Sequence, residues 1–360
     1  MQQNQLMKKT AIYTTLFAIV AMAMMIFYSA NKVVVVTGVA QDEVVHSMGT
    51  AKQEETPESI QDMNRITFDQ AGQEMDYFCI PLHSCVTAEK VTIENHYMDK
   101  ELWVSIKQDE KDDSCEEFYR STSVYGKRDA VIDGYFEEGD EIFWLKFKLN
   151  DIYEYSSIFE NNNLYIEFKM PKEVYDRIVI IDPAYGGEEI GATTVEAVGK
   201  EITLEIARAV KEKLDTTDIK VYYTRMNDTN PSADNRVDLT NAVKADMLIR
   251  IEVNESQDKK LFGTEAVYNS RYFIPEFGSV ELADLLEREV VTAISGKANG
   301  LIESTESDEV LNRIEVPAAT VRVGYITHEQ EALLLQRKDY AEKIAEGIYQ
   351  AIMRAYEEYL

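Results

Sequence analysis

Basic residues, cysteine and histidine are all scarce in this chain. Its 360 residues hold 37 lysines and arginines against 65 aspartates and glutamates, a formal charge of −28. Nucleic-acid binding needs clustered cations facing phosphates, so nucleic acid is excluded as a partner. Three cysteines, Cys79, Cys85 and Cys115, are too few for a disulfide scaffold. One pair can close outside the cell and leave a free thiol, and the sequence does not choose the pair. The spacing of Cys79, His83 and Cys85 matches no common zinc pattern. Only one histidine, His328, lies in the carboxyl-terminal half. What remains is 45% apolar and 28% charged, the composition of a globular chain long enough for two domains.

Residues 10–31 form one long run without charge, 22 residues that include AIYTTLFAIVAMAMMIFYSA. About 20 apolar residues span a bilayer as a helix. Lys8 and Lys9 precede the run and favour a cytoplasmic amino terminus. The run is longer than the apolar core of a signal peptide, and Tyr28-Ser29-Ala30 is a poor cleavage site. The expectation is a cytoplasmic tail (1–9), an uncleaved transmembrane anchor (10–31) and a polar extracytoplasmic linker (32–64). The rest of the chain then lies outside the cell membrane.

Residues 65–171 carry strand-like pieces: Val91–Glu94, Leu102–Ile106, Ala130–Ile132, Ile142–Phe147 and Leu164–Phe168. Apolar and polar residues alternate with period two in LWVSI and FWLKFKL. Asp112-Asp113-Ser114, Asp133-Gly134, Glu138-Gly139-Asp140 and Asn161-Asn162-Asn163 read as turns. A small antiparallel β domain is expected. Tyr119, Tyr125, Tyr135, Phe136, Phe143 and Trp144 read mainly as sheet core.

Residues 172–360 alternate strands with helices, the pattern of a doubly wound, mostly parallel α/β sheet flanked by helices. Ile178–Gly187 (IVIIDPAYGG) reads as a buried strand ending in a glycine turn, the end at which open α/β sheets bind ligands. Lys200–Leu214, Val280–Ile294 and Tyr340–Tyr359 have helical spacing. Ser232 with Asn235, and Thr327 with Gln330, read as helix caps. Lys220–Thr224, Met247–Val253, Thr264–Tyr268 and Ala318–Val323 read as strands.

Ordered motifs in this half resemble the zinc-dependent N-acetylmuramoyl-L-alanine amidases (the amidase 3 family). They are DPAYGG, Gly191-Ala192, KEITLEIA, Tyr223–Arg225 with Asp228-Thr229, Arg236-Val237 with Asn241, RIEVN and PAATVRVGY. The resemblance spans about Asp176 to Tyr356. It implies a bound zinc ion, held by His, Glu and His, and a further Glu as general base and acid. Carried over one by one, the ligand positions fall on Tyr185, Gly199 and Glu252, and the base falls on Arg322. All four depart from the family pattern. Glu196 is the nearest acid that a shifted ligand set would draw on. A guanidinium cannot abstract a proton and repels a metal cation.

The expected protein is therefore a degenerate family member without resident zinc, tethered to the membrane and binding peptidoglycan or an envelope protein. Tyr185, Glu252, Arg322 and Arg250 are its candidate binding residues. Glu252 is expected to pair bidentately with Arg322, with Asp182 orienting the pair or capping the turn. Arg225 and Arg236 are candidates for stem-peptide carboxylates or for structural ion pairs. An active amidase and a scaffold with an occluded crevice are the rival readings.

Overall fold

The computed structural model describes residues 64–360 apart from 109–112, 140, 196, 272 and 273. The expected tail, anchor and linker, and Glu196, lie outside the described residues. Among those described, no helix is long and apolar enough to cross a membrane.

Nine strands precede residue 170 among the described residues. They are β1 (Thr67–Phe68), β2 (Phe78–Pro81), β3 (Val91–His96), β4 (Glu101–Lys107), β5 (Ser123–Gly126), β6 (Val131–Glu138), β7 (Ile142–Leu149), β8 (Glu154–Glu160) and β9 (Asn163–Lys169). Helix α1 (Asp113–Ser121) follows β4. The strands form a four-stranded sheet, β3-β4-β7-β6, and a five-stranded sheet, β1-β5-β2-β9-β8. Pairing is antiparallel as expected, except that β1 runs parallel to β5. The period-two pattern sends Leu102, Val104 and Ile106 inward, where they meet Phe143, Leu145 and Phe147 of β7. Phe78, Ile80, Leu164 and Ile166 of the other sheet share that core. Tyr119, Phe136 and Phe143 are buried there, whereas Tyr125, Tyr135 and Trp144 are half-buried.

Two of the expected turns are regular structure instead. Asp113 and Ser114 open α1. Asp133-Gly134 lies inside β6, where a Cβ on Gly134 would sit 2.9 Å from the Phe147 ring. The glycine serves ring packing within the sheet, not chain reversal.

Beyond residue 170 come α2 (Pro171–Val174), β10 (Ile178–Pro183), α3 (Gly199–Leu214), β11 (Lys220–Tyr223), α4 (Ala233–Ala242), β12 (Met247–Asn254) and β13 (Thr264–Tyr268). They are followed by α5 (Ser279–Ile294), β14 (Ala298–Glu303), β15 (Ala318–Tyr325), α6 (Glu329–Leu335) and α7 (Lys338–Glu358). The six strands form one sheet in the order β11-β10-β12-β15-β13-β14. It is parallel apart from the antiparallel pairing of β13 with β15. Val179, Ile181, Ile249 and Val321 face α3, α5 and α7 on one side. Ile178, Ile180, Leu248 and Ala318 face α4 on the other. This is the expected doubly wound arrangement, and it leaves the carboxyl ends of β10, β12 and β15 together. Ser232 caps α4, its Oγ accepting the Asn235 N–H at 3.2 Å. The Thr327 box does not form. His328 caps α6 through Nδ1, and the Thr327 hydroxyl accepts the Ser256 N–H at 3.0 Å.

The two regions meet along β11, the edge of the six-stranded sheet. The Tyr97 hydroxyl, from the turn after β3, donates to the Tyr223 carbonyl at 2.8 Å and accepts the Tyr223 N–H at 3.2 Å. Tyr222 donates to Glu154 Oε1 at 2.5 Å, and Lys220 pairs with the same carboxylate at 2.8 Å. Side chains thus satisfy an edge that would otherwise present unpaired backbone. Tyr97→Phe is expected to lower stability by about 1–3 kcal/mol, because it orphans a buried donor and acceptor together. Urea unfolding would read this as a lower midpoint at unchanged slope. An unchanged midpoint would mean that the hydroxyl contributes nothing at this edge.

Candidate functional site

Asp182 closes β10 with no exposed surface. One oxygen accepts from Thr224 Oγ1 at 2.5 Å and from Arg236 Nη1. The other accepts from Arg250 Nη1 at 2.7 Å. Burial opposes the charged carboxylate, but the two guanidiniums and the hydroxyl outweigh it and hold the pKa below its ordinary 3.8. Asp182 therefore belongs to a buried ion cluster. Of the two roles expected for it, orienting the Glu252–Arg322 pair or capping the turn, it fills neither, since its oxygens accept from the Thr224, Arg236 and Arg250 side chains.

Arg225 staples the same turn from beneath. Its Nε donates to the Pro183 carbonyl at 3.0 Å, and Nη2 donates to the Ala184 and Lys200 carbonyls, each at 2.9 Å. Burial, then the charge of Arg236, lowers its pKa to about 10. Both Arg225 and Arg236 are about 3% exposed and have internal partners, so they are structural groups and not open ligand contacts.

The second cluster lies further along the strands. Arg322 faces Glu252 across the β12–β15 register, and Glu265 across the β15–β13 register. Arg322 Nε donates to Glu252 Oε2 at 2.7 Å, and Nη1 donates to Glu265 Oε1 at 2.9 Å. The pairing expected from the sequence is present, but it is not bidentate. One guanidinium bridges two carboxylates, because β13 brings Glu265 to the far side of Arg322. The remaining oxygens are also engaged. Tyr185 donates to Glu252 Oε1 at 3.0 Å, Tyr325 to Glu265 Oε2 at 3.0 Å, and Asn254 Nδ2 to Glu265 Oε1 at 2.7 Å. Burial opposes the Arg322 charge, but Glu252 and Glu265 raise its pKa overall. Burial and the Glu252 charge push the Tyr185 hydroxyl up, and burial with Glu265 pushes Tyr325 up to about 12.

Sequence reasoning missed Glu265, Tyr325 and Asn254. The available signal was an isolated acid inside the apolar run Thr264–Tyr268, since a buried acid requires a partner.

Backbone geometry sets the position of Tyr185. It sits at φ 67°, in the left-handed region that an aromatic residue seldom adopts. Its ring lies where a side chain on Gly191 would be, because a Cβ there would come within 2.3 Å of the ring. Gly199 begins α3, and a Cβ on it would stand 2.9 Å from the Ala192 carbonyl oxygen. No larger residue fits there without backbone movement.

These positions do not suit zinc. Gly199 offers no donor atom, both Glu252 oxygens accept protein hydrogen bonds, and a guanidinium lies within 2.7 Å of the carboxylate. Cys79, His83 and Cys85 do not converge either. Cys79 is buried beside Asn163 Oδ1 at 3.6 Å, and the exposed Cys85 lies 2.9 Å from His83 Nδ1. Cys79 and Cys85 are free thiols.

Residues 179–354 match the family model described as N-acetylmuramoyl-L-alanine amidase. A germination-specific N-acetylmuramoyl-L-alanine amidase of Bacillus subtilis is 27% identical over 234 residues, covering 60% of this chain and 95% of that protein. The N-acetylmuramoyl-L-alanine amidase LytC of the same organism is 25% identical over 188 residues, covering 52% of this chain and 37% of that protein. The crystal structure of an N-acetylmuramoyl-L-alanine amidase from Clostridium difficile 630 gives a TM-score of 0.47 at 29% identity, covering 51% of this chain and 97% of that one.

Two outcomes test the geometry. Asp182→Asn leaves the buried Arg236 and the partly buried Arg250 without their carboxylate and is expected to cost about 3–5 kcal/mol at pH 7. A lowered folded-state pKa gives stability that is complete above the unfolded value near 3.8 and is lost as pH falls through the folded value. The gap between wild type and variant should hold from pH 7 to about pH 4 and narrow below it. Thermal unfolding across that range checks both statements, and a gap that closes above pH 5 contradicts them. Gly199→Glu alone should destabilise the fold by about 1–3 kcal/mol through overpacking. Denaturant unfolding of that variant at wild-type stability would show that the α3 start has room for a side chain.

Proposed function

We propose that this chain, which belongs through residues 179–354 to the N-acetylmuramoyl-L-alanine amidase family, acts by binding in its crevice and does not hydrolyse an amide. The contact of Arg322 with Glu252 at 2.7 Å carries this reading. A permanent cation occupies the position at which the family resemblance implies a general base, and it neutralises the carboxylate at a ligand position. Arg322 has no lone pair to accept a proton from water, both Glu252 oxygens already accept from Tyr185 and Arg322, and the crevice holds its charges in pairs instead of directing them at a scissile bond. Zinc is not a cofactor in this reading.

The reading extends to the whole chain. Residues 10–31 anchor it in the cell membrane, with residues 32–64 as a tether and residues 65–360 outside. The ligand is peptidoglycan or a protein of the cell envelope. Support comes from the uncharged run behind Lys8 and Lys9, and from relatives whose names specify the bond between N-acetylmuramic acid and L-alanine. The rival favoured by likeness alone is an active amidase. The other rival is a scaffold whose crevice is closed by its own side chains, and the Tyr185–Glu252 contact supports it.

Metal analysis of the purified full chain, together with muropeptide release from sacculi, separates these readings. The expected result is substoichiometric zinc and no release above a heat-inactivated control. Stoichiometric zinc with chelator-sensitive release would establish the active amidase. Sacculus pull-down then separates binding from scaffolding, since retention that ignores Tyr185, Glu252 and Arg322 substitutions favours the scaffold.

A further inference from the structure

Arg250 differs from the other arginines at the crevice floor. Arg225 and Arg236 spend their guanidiniums on internal acceptors and are about 3% exposed. Arg250 uses only Nη1, which donates to Asp182 at 2.7 Å, and its side chain retains 15% exposure. Its Nε and Nη2 have no partner among the described residues and are not among the sealed, orphaned polar atoms. Those two N–H groups form the side-on edge of the guanidinium, the pair that meets both oxygens of a planar carboxylate.

A second observation lies beside it. Thr320 is the β15 partner of Arg250 in the sheet register, is 2% exposed, and has a buried hydroxyl without a hydrogen-bond partner among the described residues. A buried hydroxyl is costly to leave unpaired, so this one marks a place for a missing acceptor or donor. Arg225, Arg236 and Arg250 surround the one fully buried Asp182, and although Glu252 also contributes to the field at Arg250, its two oxygens are taken by Tyr185 and Arg322. Asp308 contributes to the field at Arg250, but its Oδ1 caps its own turn, accepting from the Val310 and Leu311 N–H groups at 3.2 and 2.8 Å.

We propose that the Nε–Nη2 edge of Arg250, with the Thr320 hydroxyl beside it, is a recognition site for a carboxylate group. The inference rests on the crevice being a binding site, and it names the chemistry bound there. Arg322 Nη2, two residues beyond Thr320 on the same strand, is the neighbouring free donor. The carboxylate comes either from a small free acid or from the end of a peptide.

Titration of the full chain, followed through its arginine Nε–H resonances, tests the site with three probes: acetate, N-acetylalanine and N-acetylalaninamide. Both acids should shift the Arg250 Nε–H resonance, and the amide should not. Equal affinity for the two acids assigns a small free carboxylate, and tighter binding of N-acetylalanine assigns a peptide end. Arg250→Lys keeps the charge beside Asp182 but removes the edge, and it should weaken acid binding about tenfold or more. The wild-type titration stands without that variant should it fail to fold. An Arg250 resonance unmoved by either acid up to about 100 mM, or moved equally by acid and amide, overturns the proposal. Zinc-dependent hydrolysis would defeat the reading of a silent crevice, while the Arg250 resonance would still decide the carboxylate site.

Discussion

Asp182 has no access to water, and it is shared by two arginines and a threonine hydroxyl drawn from three other elements. Thr224 follows β11, Arg236 lies on α4 and Arg250 on β12, so one carboxylate ties the sheet's edge, a covering helix and a central strand together. An isolated buried charge would cost many kcal/mol, which makes the four groups stand or fall as a set. Arg225 extends the constraint to the turn after β10, because it bonds backbone carbonyls there and at the start of α3. The path of residues 183–187, and therefore the placement of Tyr185, depends on this cluster.

Above that floor, the second cluster holds the crevice's shape with ion pairs and tyrosine hydroxyls. Arg322 stands between Glu252 and Glu265, and each carboxylate oxygen also receives a neutral donor or shares the guanidinium. The Arg322 guanidinium, set between the partly exposed Glu252 and the buried Glu265, ties three strands together. Two of the four positions that differ from the family pattern are closely constrained by their surroundings. The Gly199 environment has no room for a side chain, and Tyr185 fills the space beside Gly191.

Much of this could be read from the chain because it is local. The β-branched run into Asp182-Pro183 is fully buried from Ile178 to Pro183, as its pattern required. Glu252 and Arg322 could be paired because both depart from one family pattern at positions on neighbouring strands. Glu265 could not be added on the same grounds, because strand order is not sequence order. The order β12-β15-β13 sets residue 265 beside residue 322, and no short-range signal records that β13 runs antiparallel to β15. The bidentate expectation failed for the same reason, since it assumed a single partner where the fold supplies two. Asp113 and Ser114 misled because the same residues open helices and make turns. Gly134 misled because its role is to admit the Phe147 ring.

The β region meets this chemistry at β11, and Ile152, Tyr97 and Met98 also pack into the core on the α4 side of the sheet. Tyr97 pairs with the backbone of Tyr223, the residue immediately before Thr224, whose hydroxyl reaches Asp182. Tyr222 and Lys220 bind Glu154 from the same edge. The side chains that close the exposed edge of the sheet therefore adjoin the ion cluster that shapes the crevice floor. An edge strand held on one side only by β10 would be free to fray, and fraying at Tyr223 would move Thr224 away from a carboxylate that cannot be solvated. The residues before 170 are thus part of what keeps the crevice in its observed form, whatever they bind on their own outer faces.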